Sequence, residues 1–212
     1  SCPFVTLRIF TSLVLAVAIA TPLVAQAPAA PVPTGSFAGQ TVAVIPITLV
    51  VADPALQSDT LFAAYHDRRA PLLWADSLIG DAFVGRAPEV HWVLPPALRK
   101  MARRAPGLVG DPDQMGQAVM RSPNIKVLPD PLRSSLRNLV ALTDGRVILI
   151  PAALGFNLDT VRAVRADLSL VAADARSGKV LWRGQAIGNG PTPSAALQTA
   201  LNAALPFDAI GP

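Results

Sequence analysis

Residues 164–184 read VRADLSLVAADARSGKVLWRG, and this stretch decides the fold. From Val164 to Ala172, apolar or small residues alternate with mostly polar ones, which is the period of a strand with one solvated face. Residues 179–187 have the composition of a return strand. The stretch therefore predicts an antiparallel hairpin.

The turn of this hairpin falls at Asp174–Gly178. Aspartate can hydrogen-bond its own backbone at the start of a turn, and glycine adopts the left-handed conformation that closes one. On the return strand, Val180 and Trp182 are two residues apart and are predicted to share a face. We interpret Trp182 as an anchor in the core, and Asp174 as a turn residue.

Two apolar runs predict strands that are buried on both faces, TVAVIPITLVV at residues 41–51 and RVILIPAALGF at residues 146–156. Because proline has no N–H to donate, the pairing of the first run should end or bulge near Pro46, and the second strand should end at its own proline. EVHWVLP, residues 89–95, predicts a short strand between them.

Spacings of three and four between apolar residues predict the helices. They cover residues 71–84, 96–104, 113–120, 131–142 and 193–205. The fold class is therefore α/β in the α+β sense. We expect a mixed sheet of about five strands with helices packed on it, in the order β-α-β-α-α-β-β-β-α.

The N-terminus has the pattern of a signal peptide. Arg8 precedes the apolar run IFTSLVLAVAIA, and small residues follow at residues 25–27. Cleavage could follow Ala25, Ala27 or Ala29. The alternative is an uncleaved anchor, which would be the chain's one contact with a membrane. Export predicts a periplasmic or extracellular protein.

The domain organisation follows from composition. Residues 1–27 are the predicted signal peptide, and the proline-rich residues 28–40 are expected to be an extended, solvated linker. Residues 41–212 are long enough for a single domain with a sizeable core.

Cysteine and charge exclude several classes of protein. Cys2 is the only cysteine and lies before the apolar run, so neither a lipobox nor a thiolate metal site is supported. Without residues 1–27 the chain loses only Arg8, which leaves 17 Lys and Arg against 14 Asp and Glu, a net charge of +3. This small excess gives no indication of nucleic-acid binding.

The hairpin and the strands before it resemble a known family. Asp174, Ser177-Gly178 and Trp182 match the ending D-x-x-T-G-x-x-x-W of the periplasmic domain shared by CsgG, LpoB and the TolB N-terminal domain, with serine in place of threonine. VAVIPI, EVHWVLPPALRKM and DGRVILIPAAL extend the resemblance over residues 41–205. It implies a non-catalytic envelope protein that works through protein contacts, with an envelope partner or a second copy of itself.

One charged cluster stands out, on the helix predicted at residues 96–104. Arg99 with Arg103, and Lys100 with Arg104, stack at a spacing of four. The cluster is either a patch that contacts an anionic partner or a solvated helix face. No aromatic residues interleave with it as single-stranded nucleic acid would require.

The sequence carries no recognised catalytic motif. His66 and His91 lie in different elements without a metalloprotease spacing, and no nucleophile elbow, P-loop or dinucleotide fingerprint is present. No cofactor is therefore expected. Asp53, Asp174 and Asp208 are interpreted as turn residues. The alternative function is a secreted hydrolase or small-ligand-binding protein with a pocket at the strand ends, lined by histidines or converging aspartates.

Overall fold

A computed structural model of the chain describes residues 30–57, 69–159 and 162–205. The strands in these ranges are β1 (Thr41–Val44), β2 (Val50–Ala52), β3 (His91–Val93), β4 (Val147–Leu158), β5 (Val164–Asp174) and β6 (Val180–Gly190). The α-helices are α1 (Thr34–Phe37), α2 (Pro54–Gln57), α3 (Ala70–Arg86), α4 (Pro95–Arg104), α5 (Leu132–Val140) and α6 (Pro193–Ala204). None of the helices in the described ranges could cross a membrane, because none combines the necessary length with the necessary hydropathy.

The strands form one mixed sheet in the order β3-β1-β4-β5-β6, and β2 pairs with β4 beyond the end of β1. β1, β2 and β3 run parallel to β4, whereas β4, β5 and β6 form an antiparallel meander. The predicted mixed sheet is confirmed. It has six strands rather than five because the strand predicted at residues 41–51 is split in two.

Pro46 causes this split, as its missing N–H predicts. Pairing with β4 stops where the Ile45 N–H donates to the Leu149 carbonyl at 2.9 Å, and it resumes where the Leu154 N–H donates to the Leu49 carbonyl at 2.9 Å. The chain between these two contacts leaves the sheet, so its polar backbone groups need other partners.

Pro151 does not end β4, and that prediction is wrong. β4 continues to Leu158 with an irregularity between Pro151 and Ala153. Since Leu149 directs its carbonyl towards β1, Pro151, two residues further on, faces the same side. That side is the break between β1 and β2, so the proline removes no hydrogen bond from the ladder.

Helices cover both faces of the sheet. On the first face, α1, α3 and α6 pack against the strands, and the buried residues include Phe37, Ile79, Phe83, Leu149, Phe156, Leu168, Leu170, Leu197 and Leu201. On the second face, α4 and α5 do so, and the buried residues include Leu98, Met120, Leu136, Leu139, Ile148, Ile150 and Val171. The burial of these apolar surfaces is the main term that favours folding.

The segment predicted at residues 113–120 is not one helix. Two 3₁₀ helices occupy it, Pro112–Gln114 and Gln117–Arg121. Gly116 lies between them with a φ of 74°, a left-handed conformation that interrupts any continuous helix.

Residues 30–40 pack against the domain, which differs from the expected solvated linker. Val32 and Phe37 are buried in the first core. The Val32 N–H donates to the carbonyl of Ala204 at 2.9 Å. The high proline content led to the prediction of a linker, although the apolar side chains of Val32 and Phe37 reach the core. The predicted signal peptide, residues 1–27, lies outside the described residues.

The hairpin of β5 and β6 is confirmed. Asp174 Oδ1 accepts from the Ser177 N–H at 2.7 Å, and Gly178 closes the turn with a φ of 77°. Val180 and Trp182, however, lie on opposite faces. A bulge pairs Val180 with Ala173 but Trp182 with Ala172, and the extra residue between them reverses the alternation.

Candidate functional site

The topology opens a crevice at the carboxyl ends of β1 and β3. These strands are parallel neighbours. The helix between them, α3, packs on the first face, whereas α4, which follows β3, packs on the second. Ligands of open α/β sheets bind where the connections leave towards opposite faces in this way. The same edge carries the break at Pro46.

Asp76, Arg99 and Asp113 meet at this edge. Asp76 of α3 is 5% exposed, and its Oδ1 accepts from the Ile47 N–H at 2.8 Å. Its Oδ2 accepts from Arg99 Nη2 at 2.5 Å. Arg99 also holds Asp113, with Nε to Oδ2 at 2.9 Å and Nη2 to Oδ1 at 2.7 Å. One guanidinium group therefore links α3, α4 and the first 3₁₀ helix.

Gln117 completes the cluster from the second 3₁₀ helix. It is fully buried, and its Nε2 donates to the carbonyls of Pro46 at 2.8 Å and Pro112 at 3.0 Å. Asp76 and Gln117 thus satisfy the backbone groups of Ile47 and Pro46 that leave the ladder at the break. The Gln117 Oε1 is buried and has no protein partner.

Burial and charge act in opposite directions at this cluster. Burial raises the pKa of Asp76 to about 6, against the lowering effect of the hydrogen bonds from Ile47 and Arg99. For Arg99, burial alone would lower the pKa, but hydrogen bonds to Asp113 and Asp76 outweigh burial and raise it. The difference arises because Arg99 is more exposed and shared by two carboxylates, whereas Asp76 has one cationic partner.

A cleft of about 540 Å³ opens beside the cluster. Its charged lining consists of Arg69, Arg99, Arg103, Asp111 and Asp113. The loop between α4 and the first 3₁₀ helix forms the rest of its wall. The volume lies within the range of small-molecule pockets. Because Arg99 is already paired with Asp76 and Asp113, it adds no uncompensated positive charge to the cleft.

The residues of the predicted basic patch divide between two environments. Arg99 points inward, and its side chain is 12% exposed, so it does not belong to an exposed patch. Its place is decided by Asp76 and Asp113, which are distant in sequence. Lys100, Arg103 and Arg104 are exposed on α4.

The predicted polar candidates lie elsewhere. His91 is exposed at the amino end of β3, where it pairs with Thr41, whereas the cleft lies at the carboxyl end of the same strand. Asp53 caps the short helix α2 by accepting from the Ala55 N–H at 2.8 Å, as a turn residue should. His66 and Asp208 lie outside the described residues. Among the residues that are described, no group of three His, Cys, Asp or Glu side chains is arranged to hold a metal ion.

Asp76, Asp113 and Gln117 are site residues that the sequence did not indicate as candidates. The break at Pro46 predicts that buried polar partners must exist, because orphaned backbone groups are rarely left buried. It does not say which side chains supply them, since Asp76 and Gln117 lie far along the chain and the pairing depends on the packing of two helices.

No protein-family model and no curated protein sequence matches the chain. Among solved structures, the chain is similar to the LpoB C-terminal domain from Salmonella enterica, with 12% identity over 72% of this chain and 84% of that one, at a TM-score of 0.42. It is also similar to the PelC dodecamer from Paraburkholderia phytofirmans, with 9% identity over 84% of this chain and 93% of that one, at a TM-score of 0.35.

A lipoprotein from Neisseria meningitidis is similar with 16% identity over 71% of this chain and 81% of that one, at a TM-score of 0.32. Identities and TM-scores this low transfer no function to this chain. The resemblance to CsgG and to the TolB N-terminal domain stays a prediction from sequence.

Proposed function

We propose that the protein is an exported envelope protein that acts as an accessory or interaction module of the CsgG, LpoB and TolB-N type. Residues 1–27 are its signal peptide, and residues 41–212, with residues 30–40 packed against them, form its interaction domain. The apolar leader supports export. The Asp174, Ser177-Gly178 and Trp182 pattern supports the family. In this proposal the protein works in the periplasm or outside the cell.

One observation carries the proposal, the division of basic residues on α4. Arg99 is fixed inward by two carboxylates, so it holds the helix in a defined orientation. Lys100, Arg103 and Arg104 are exposed on the same helix. A rigid helix that presents three cations suits contact with an acidic surface of a protein partner, since complementary charge governs recognition and association rate.

Charge reversal tests this surface. A variant with Lys100→Glu, Arg103→Glu and Arg104→Glu should lose an envelope partner that the original protein recovers by cross-linking and pull-down. The matched control is a single variant that carries Lys126→Glu, Arg176→Glu and Lys179→Glu. These three residues are also exposed, and they lie near the hairpin turn, which is beside the start of β4 and therefore at the end of the strands opposite the cleft. The control should keep the partner, and equal recovery by both variants would contradict the proposal.

The cleft favours a second candidate function, the binding of a small anionic ligand. Arg103, which is exposed on α4, lines this volume of about 540 Å³ at the strand ends and is the cation that would contact an anionic group. Hydrolysis there would need a free base, but Asp76 does not line the cleft, and both oxygens of Asp113, which does, accept from Arg99. Inorganic phosphate and a short peptide with a free carboxylate are suitable probes. Either should raise the melting temperature of the original protein and not of Arg103→Gln, and a shift in neither would contradict this function.

A further inference from the structure

β6 forms one edge of the sheet, and its outer side changes character along its length. Near its start, the Val180 N–H donates to the Lys126 carbonyl at 3.0 Å. The Arg183 guanidinium donates to the carbonyls of Met120 and Ile125. From Gly184 onwards, no strand within the described ranges pairs with the outer side. Because alternate residues of a strand direct their backbone groups to opposite sides, every second residue of Gly184–Gly190 presents an unpaired donor and acceptor on this side.

This open edge lacks the features that usually prevent pairing with another chain. Residues 184–190 read GQAIGNG, without a charge or a proline. Their pairing with β5 is regular from Trp182 to Gly190, so no bulge twists the edge away. Soluble proteins protect exposed edges with charges, prolines or bulges. The opposite edge, β3, has only three residues and is followed directly by a helix with two prolines in its first turn.

The sequence of the edge is nearly symmetric about Ile187. In an antiparallel pair of two copies centred there, Gln185 faces Asn189, Ala186 faces Gly188 and Ile187 faces itself. Gly184 faces Gly190. Such a pair obeys two-fold symmetry, in which each residue contacts the same partner in both directions. Amides therefore meet amides, and small residues meet small residues.

The two faces of the edge suit this arrangement. Gln185, Ile187 and Asn189 are exposed, with Ile187 38% exposed, on the face opposite α6. On the other face, α6 lies over β5 and β6. Two such helices related by the two-fold axis would be about 10 Å apart, which is the spacing of packed helices. Ala203, beside the edge on this face, is small and exposed.

We propose that a second copy of this chain binds along Gly184–Gly190, antiparallel and centred on Ile187, and joins the two sheets into one. The Ile187 side chains contact each other and are flanked by two pairs of Gln185 and Asn189. This surface is separate from the basic residues of α4, so it could be present whether or not these bind a partner.

Opposite charges at the centre of the pair test the proposal. The full chain should sediment as a concentration-dependent dimer. Ile187→Lys and Ile187→Glu should each weaken the dimer by a factor of about ten or more, because like charges then face each other directly. An equal mixture of the two variants should restore the dimer. Val84→Lys is the control, because Val84 is 49% exposed on α3, and it should dimerise as the original protein does.

A monomer at every concentration would overturn the proposal. So would a dimer that both Ile187 variants retain unchanged. Thermal melts show whether each variant is folded, and a charge is tolerated at Ile187 because the side chain is already partly in solvent. If one variant unfolds, the other and the cross-linking below still decide.

Cysteine cross-linking tests the register, in a chain with Cys2→Ser. Ile187→Cys should form a disulfide between copies, because residues directly opposite have Cβ atoms about 4.5–5.5 Å apart. Asn189→Cys alone should not, whereas a mixture of Asn189→Cys and Gln185→Cys should. Cross-linking of Asn189→Cys to itself, or none in any of these proteins, would overturn the proposed register.

Discussion

Arg99 joins three parts of the chain through one guanidinium group. Its partners are Asp76 of α3 and Asp113 of the first 3₁₀ helix. Removal of one partner from a buried ion pair costs about 3–5 kcal/mol, because the remaining charge stays buried without compensation. Asp76 is the most buried of the three, so its protonation is coupled to folding.

Asp76 predicts a dependence of stability on pH that Asp76→Asn should remove. Burial raises its pKa in the folded protein to about 6, above the ordinary value of 3.8. Between these values the folded state holds a proton that the unfolded state releases, so stability falls as pH rises through about 6. Urea unfolding from about pH 4 to pH 8 should show an extra loss of roughly 3 kcal/mol in the original protein relative to the variant.

Asp174 gives stability the opposite dependence on pH, and this dependence is the same in the original protein and in Asp76→Asn. Burial alone would raise its pKa, but hydrogen bonds from Ser177 and Arg146 outweigh burial and lower it. Its stabilising contribution is present above the ordinary pKa of a carboxyl and is lost as pH falls through the folded value. It therefore cancels in the difference between the two proteins. Parallel curves of stability against pH would contradict the role given to Asp76.

At the scale of elements, α6 lies in direct backbone contact with β6. Thr192 caps the helix by accepting from the Ala195 N–H at 3.2 Å. The helix then crosses β6 at Gly188 and Gly190, where a Cβ atom would meet its backbone. A Cβ at Gly188 would lie 2.7 Å from the carbonyl carbon of Thr199. Backbone atoms cannot rotate away as a side chain can.

Gly188→Ala should therefore destabilise the protein by about 3 kcal/mol, because the added methyl group forces α6 away from the sheet. Gly85→Ala is the matched control. Gly85 lies in α3 with no heavy atom within 4 Å of its Cβ position, so alanine there should stabilise the helix by up to about 1 kcal/mol. Chemical unfolding of the three proteins measures both effects, and a loss of the same size in both variants would contradict this packing.

The sequence predicts elements well where one local pattern decides them. The alternation in β5 and the turn at Asp174 are local, and the hairpin is found where they place it. The prediction that Val180 and Trp182 share a face fails because a bulge lies between them. An alternation with a period of two does not predict where a bulge occurs. The cluster beside the cleft is harder to predict from sequence, because Asp76 and Arg99 meet only after α3 and α4 have packed on opposite faces of the sheet.

At the scale of the whole molecule, one sheet separates two cores, and the segment before β1 belongs to the first of them. Val32 is 5% exposed and Phe37 is 4% exposed. The packed core therefore includes residues at least as early as Val32, nine residues before the strand that the sequence indicates as its start. Because both cores share the same strands, loss of part of one core should lower the stability of the entire domain.

A chain that begins at Gln40 should accordingly be less stable than one that begins at Ala30, by about 3 kcal/mol or more, from the lost burial of two apolar side chains. Urea unfolding should show a lower midpoint, with a single transition in both proteins. The chain from Ala30 with Val32→Ala and Phe37→Ala is the control. It keeps the hydrogen bond from the Val32 backbone to Ala204, so it should lose most but not all of the same free energy. Equal stability of the two original chains would mean that this segment adds nothing to the core.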